Sequence, residues 1–259
     1  MKSSKKDSKS ENLVRKGAQS VYRTISLLRS VAKHNETGAR LSDIALEVGI
    51  HVATAHRILA VLVEEGFLTY DSSTKLYGLG IELYNLGNLA HQFDIRDQYR
   101  NAIEQVAEKT EDTVFLLIRS GNDVLCIDLV EGIYPIRTMT ITVGARRPLG
   151  IGAGSLSLIA FLPDDQFEKI LSTNEHRYPQ YKGLTGKNIR ALAKRSRKHG
   201  YVVSEGLFHE GVTSVGVPVY NRLGEVVAAI TVATIEKRMG SERQKEIASF
   251  VRNITGEKD

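Results

Sequence analysis

The 259-residue sequence holds a single cysteine, Cys126. No disulfide can therefore form within one chain, and no thiolate cluster can hold a metal, which suits a reducing compartment. Cys126 sits in the apolar run VLCIDLV, the setting of a buried structural thiol rather than a nucleophile. No stretch approaches the roughly 18 uninterrupted apolar residues of a membrane span. The amino-terminal MKSSKKDSKSENLVRK also lacks the apolar core of a secretory signal. The expectation is a cytoplasmic protein with no membrane partner. Catalytic signatures are missing as well: HExxH, paired thiolates, GxSxG and GxxxxGKS/T do not occur. These absences speak against a small-molecule enzyme, whatever domain is appended to it. They call for no catalytic residues, no metal and no cofactor.

What is present is ordinary globular material, 42% hydrophobic and 25% charged, at a length that suits two domains better than one. The net charge is +5 and the isoelectric point about 9.2. The charge is unevenly placed: residues 1–40 carry ten Lys or Arg against three acids. Residues 1–17 read as a basic, disordered tail.

Beyond the tail, Val21, Ile25, Leu28 and Ala32 recur with helical spacing, predicting an amphipathic helix over 18–33. Leu41, Ile44, Ala45 and Val48 predict a second, short helix. Ser42 and Asp43 suit its start and Gly49 its left-handed end. Ala55, Ile58, Leu59 and Leu62 predict a third. Two short helices joined by a three- or four-residue turn containing Gly form a helix-turn-helix. With its apolar stripe in the core, the third helix is left to face outward with His51, Val52, Ala53, Thr54, His56 and Arg57. None is acidic, so this face can approach phosphates and base edges. Phe67–Tyr70 and Leu76–Leu79 flank the turn DSSTK and read as a hairpin. That hairpin is a candidate wing, with Lys75 as its DNA-facing cation.

The run LSDIALEVGIHVATAHRILAVLVEEGFL, followed by YGLG, resembles the DNA-binding domain of the IclR family of bacterial regulators. The resemblance extends over residues 18 to about 254. It implies that Arg57 contacts operator DNA and that Thr54 is a hydroxyl contact. His51 and Ala53 stand where the family more often has Ser, and His56 adds a contact or changes base preference.

Leu79, Leu83, Leu86, Ala90 and Phe93 give the next segment one apolar face, which suits either a helix packed on its own domain or a connector. The resemblance implies a linker helix over 80–93 that helps a homodimer, or a dimer of dimers, to form. Such a dimer would read half-sites about 34 Å apart or a multiple of it.

Residues 94–259 mix a helix over 97–110 with strand-like runs TVFLLIR, VLCIDLV, PIRTMTITV, YVVS, TSVGVPVY and EVVAAITVAT. Turns fall at SGND and NRLG, and helices at 154–161, 164–171, 185–198 and 241–254. Ser241 and Gln244 read as a capping box for the last. The fold class is α+β: a winged helix-turn-helix, a linker helix, and a domain resembling the GAF-like mixed α/β effector domain of the same family. The stretch PLGIGAGSLSLIAFLP places Gly152, Ala153, Gly154 and Ser155 at a helix start. That is either a tight turn packed on a sheet or a place where free N–H groups hold an anion. The resemblance implies a small-effector site there, commonly for organic acids, completed by Ser204, Ser214, Thr231 and Ala233. Several relatives have an acid at the Ser204 position and a hydroxyl at the Ala233 position, so the ligand here should differ from theirs. Arg137 and His209 are candidate charges for the pocket, although each also suits the surface. The run KRSRKHG at 194–200 reads as the solvated, cationic end of a helix.

Overall fold

The structure is a computed structural model and describes residues 18–89, 94–206 and 210–256. The chain divides into two compact units, Met1–Gln92 and Phe93–Asp259.

In the first unit, α1 (Gln19–Lys33) leads through the two-residue strand β1 (Ala39–Arg40) to α2 (Leu41–Val48) and α3 (Val52–Glu64). The axes of α2 and α3 bend by 111°, inside the range of a helix-turn-helix. Gly49 makes that bend possible: it ends α2 in the left-handed conformation at φ 71°, which a residue with a Cβ rarely adopts. A hairpin of β2 (Leu68–Asp71) and β3 (Leu76–Leu79) follows, and then α4 (Ile81–Leu89). β1 adds to β3, giving a three-stranded sheet in the order β1-β3-β2. Leu27, Val31, Ile44, Ala55, Leu59 and Leu68 form the core.

Two details of α1 and α2 differ from expectation. On α1 the core is reached by Leu27 and Val31, while Val21 and Ile25 are exposed. The helix carries apolar residues on more than one strip, and spacing alone does not say which strip meets a neighbour. The helix α2 begins at Leu41, and its N-cap, Arg40, makes no side-chain capping bond. Ser42 bonds to Asp43 instead.

The second unit is built on a six-stranded antiparallel sheet, order β6-β5-β4-β9-β8-β7. The strands are β4 (Thr113–Ser120), β5 (Asp123–Val130), β6 (Arg146–Pro148), β7 (Val202–Glu205), β8 (Val212–Tyr220) and β9 (Val226–Ile235). One face is covered by α5 (Asp94–Thr110) and α9 (Ser241–Thr255), through Ile103, Val106, Ile247 and Val251. The other is covered by α6 (Ala153–Ala160), α7 (Asp164–Asn174) and α8 (Gly186–Ser196). Helices on both faces explain why β4 and β9 are buried on both sides and read as continuous apolar runs.

The expected strand PIRTMTITV is not one. Its alternation is strand-like, yet Ile136, Met139 and Val143 are exposed. The edge of β5 is taken by Arg146–Pro148 instead, with Asp123 opposite Pro148 and Leu125 opposite Arg146. Strand propensity without a free partner edge leaves irregular chain. The capping box at α9 is also absent: Gly240 is the N-cap without a side-chain capping bond, and the Gln244 amide donates to the Met239 carbonyl at 3.0 Å.

Candidate nucleic-acid interface and ligand pocket

Helix α3 starts after His51, an extended N-cap, and has no acid in its first turn. His51, Val52, His56 and Arg57 are exposed and Thr54 is half-buried, while Ala55 and Leu59 face the core. Free N–H groups at the helix start, the positive end of its dipole and the Arg57 guanidinium all favour phosphate. The charge is local rather than global: residues 18–89 hold six Lys or Arg against seven acids. Most of the net positive charge of the chain belongs to residues 1–17, where six Lys or Arg face two acids; that segment lies outside the described residues.

The wing hairpin is closed by its own side chains. Asp71 accepts from the Ser73 N–H at 2.8 Å, the Ser73 hydroxyl at 2.6 Å and the Thr74 hydroxyl at 2.9 Å. These bonds, that from the Ser73 hydroxyl first, hold its carboxyl down to about 2. Lys75 closes the turn at φ 62° with its N–H on the Asp71 carbonyl at 2.8 Å, and it is exposed. Behind α3, Glu47 of α2 accepts from Lys33 and, at 2.6 Å, from Ser30, both on α1. The Lys33 and Ser30 bonds hold its carboxyl down to about 2.

In the second unit a small cavity opens between the start of α6 and the sheet. Strand register assembles it. Phe115 of β4 lies opposite Thr231 of β9, and Thr231 lies opposite Gly216 of β8. Opposed residues of an antiparallel pair point to one face, so Phe115 and Thr231 both reach the cavity. Gly216 is obligatory here because a Cβ would lie 2.5 Å from the Ala153 carbonyl group, so α6 sits directly on β8. A Cβ on Gly154 would likewise come 1.9 Å from the Thr231 hydroxyl. In the next row Ser214 faces both Ser204 and Ala233.

Gly152, Ala153, Gly154, Ser155, Ser204, Ser214 and Thr231 all line this cavity. Ala233 does not; it is buried in the adjoining core. The Ser155 hydroxyl is already engaged, accepting from the Gly150 N–H at 3.1 Å and donating to the Pro148 carbonyl at 3.4 Å. Thr231 is different: its hydroxyl is buried and, among the described residues, has no hydrogen-bond partner. An orphaned buried hydroxyl costs free energy, and a bound ligand would supply its partner.

Two family models fit the chain. The IclR helix-turn-helix domain matches residues 20–72, and the C-terminal domain of bacterial transcriptional regulator IclR matches residues 87–257. The chain belongs to the IclR family. It is a DNA-binding transcriptional regulator and not an enzyme. Curated IclR-family relatives match most of its length. The regulator KipR of Bacillus subtilis is 28% identical over 82% of this chain and 85% of its own. The repressor AllR of Escherichia coli is 26% identical over 94% and 90%. Among solved structures, Thermotoga maritima IclR superposes with a TM-score of 0.69 at 25% identity, covering 92% of this chain and 96% of that one. An IclR homolog from Microbacterium hydrocarbonoxydans complexed with 4-hydroxybenzoate reaches 0.76 at 21% identity, covering 92% and 98%.

Of the two charges suggested for the cavity, Arg137 is exposed and ion-paired with Glu131 at 2.6 Å, away from the cavity lining. His209 lies outside the described residues. The cation that does line the cavity is Arg147, together with Thr140 and Ile141. Sequence reading missed it because the strand was expected over 135–143 rather than at Arg146–Pro148. Alternation along GARRPLG turns one of the two adjacent arginines inward, but which one depends on the register of β6 against β5. Among the described residues no helix is long and apolar enough to cross a membrane, although the bent pair α2–α3 would pass by length and composition together; α3 in particular is committed to the core of its own unit through Ala55, Leu59 and Leu62.

Proposed function

We propose that this regulator grips operator DNA through α3 and the wing, and that a small carboxylate-bearing metabolite in the cavity of the second unit alters that grip. His51, Val52, Thr54, His56, Arg57 and Lys75 make the DNA contacts in this reading. The effector contacts come from Gly152, Ala153, Gly154, Ser155, Ser204, Ser214 and Thr231, with Ala233 shaping the wall behind Ser214. The observation that carries the effector reading is the Thr231 hydroxyl, buried and unpartnered among the described residues, in a cavity that it lines together with Ser204 and Ser214. The 4-hydroxybenzoate complex of the Microbacterium homolog supports the ligand class. The sign of regulation in this reading is repression, as in the name of AllR.

Dimerisation is part of the proposal. Within the first unit Val21, Tyr22 and Ile25 on α1, and Ile81, Tyr84, Leu86 and Leu89 on α4, are exposed. Apolar faces of this extent mark an interaction surface, and α4 as a linker helix gives a second copy a place to pack.

Coupling requires a ligand that prefers one state of the protein, since equal affinity for both shifts nothing. The test is operator affinity of the full-length chain at fixed salt, with and without each short aliphatic or aromatic carboxylate that raises its thermal midpoint. A change in affinity supports the reading. Identical affinity with every bound acid removes the coupling.

A further inference from the structure

Arg147 pairs with Val124 across β6 and β5, so both side chains point to the cavity face and both line the cavity. Its neighbour Arg146 turns outward and donates to the Ser120 hydroxyl at 2.6 Å. The Arg147 guanidinium is half-buried and is bonded to the backbone carbonyl of Thr140, which also lines the cavity. Among the described residues it has no carboxylate within ion-pair distance, and no acid lines the cavity. The ionisable groups that face it are the Tyr181 phenol and the Cys126 thiol. Burial pushes that thiol up to about 12, so it is no anion at neutral pH. The nearby acid, Asp128, is already held by Arg96 at 3.1 Å and Arg100 at 2.9 Å.

We propose that Arg147 binds the anionic group of the effector, and that the cavity selects a monocarboxylate whose far end is neutral and polar. This rests on the effector reading given above. Two features compete for the carboxylate. The start of α6 offers N–H groups and about half a unit charge. Arg147 offers a full unit charge, a planar fork that fits a carboxylate, and a half-buried position without a counter-ion, where pairing is stronger than in water. The anion therefore goes to Arg147. In the sheet order β6-β5-β4-β9-β8-β7, Arg147 comes from one edge strand, while Ser204 and Ser214 come from the other edge strand and its neighbour. Phe115, Leu117 and Val124 supply apolar wall from the strands between. The hydroxyls of Ser204, Ser214 and Thr231 suit a hydroxyl, carbonyl or amide on the ligand, and no second cation lines the cavity among the described residues. A second carboxylate at that end would be buried without a counter-charge, which is costly.

The test is calorimetric titration of the full-length protein with three matched pairs of probes: 4-hydroxybenzoate and 5-hydroxypentanoate, their neutral amides, and the dicarboxylates terephthalate and glutarate. At least one hydroxy acid should bind, with its amide roughly tenfold to a hundredfold weaker. In Arg147→Met the acid should weaken by a similar factor and the preference for acid over amide should vanish. Arg147→Lys should retain a preference for the acid. Ser214→Ala should weaken a hydroxy acid and its amide alike. Should Arg147→Met fail to fold, Arg147→Gln, which keeps a donor for the Thr140 carbonyl, carries the same comparison. An acid preference that survives loss of Arg147 would assign the anion to the α6 start and overturn this inference while the effector reading stands. A dicarboxylate binding tighter than its hydroxy acid would overturn the neutral far end. No binding by any of the six overturns the inference and the carboxylate reading together.

Discussion

The helix that roofs the cavity of the second unit and the helix that ends the first unit treat their apolar residues in opposite ways. Every residue of α6, from Ala153 to Ala160, is buried. On α4, Ile81, Tyr84, Leu86 and Leu89 are exposed. The second unit is thus closed around a small cavity that can reach only a small molecule. The first unit keeps a cationic face and an apolar face open, as partners of macromolecular size require.

Core truncation should break the comparison most strongly. Phe115, fully buried and part of the cavity wall, should cost about 3–5 kcal/mol as Phe115→Ala, and Leu59→Ala in the first unit about 2–5 kcal/mol. Hydrogen exchange should place each loss in its own unit; equal loss of protection in both would mean that the units fold as one. Next in size, Arg57→Ala should weaken operator binding by about 1–3 kcal/mol. Salt titration then separates two roles. A phosphate contact lowers the salt slope by about 1 and acts on all sequences alike, while a base contact relaxes preference at one position.

A smaller effect has an opposite sign in the two states of the pocket. Thr231→Val removes a buried hydroxyl that has no partner among the described residues, so the unliganded protein should gain about 1 kcal/mol of stability, read by denaturant midpoint. Effector affinity should fall at the same time. A loss of stability would show that the hydroxyl is satisfied in the free protein. The smallest effect concerns Glu47. Its carboxyl is held down to about 2 from 4.5, chiefly by Lys33 and Ser30. A depressed value stabilises the fold above about pH 4.5, and that stabilisation is lost as pH falls through 2. Solvent screens the site, so the contribution is at most about 1 kcal/mol. Glu47→Gln should flatten this part of the acid-unfolding curve, and an unchanged curve would mean the pair is neutral to stability.

The helix-turn-helix was legible because its information is local. Ala55, Leu59 and Leu62 lie one helical turn or less apart, and Gly49 marks the bend within a few residues of both helices it joins. The cavity was legible in part. Seven of the eight residues expected at a ligand site line it, but no spacing in the chain brings Gly154 beside Thr231. The exposed strip of α1 was misread as core, because Val21 and Ile25 have the same spacing as Leu27 and Val31.

Composition and periodicity by themselves determined the helices, the hairpins, the turn at Gly49 and the acid-free face of α3, since each follows from residues within about one turn or one strand of each other. The tertiary structure alone decided which strip of α1 is buried, that Arg146–Pro148 rather than PIRTMTITV completes the sheet, and that Arg147 rather than Arg137 enters the cavity. The first depends on which helices pack against α1; the other two depend on the register of strands apart in sequence, where a shift of one residue exchanges the two faces of a strand.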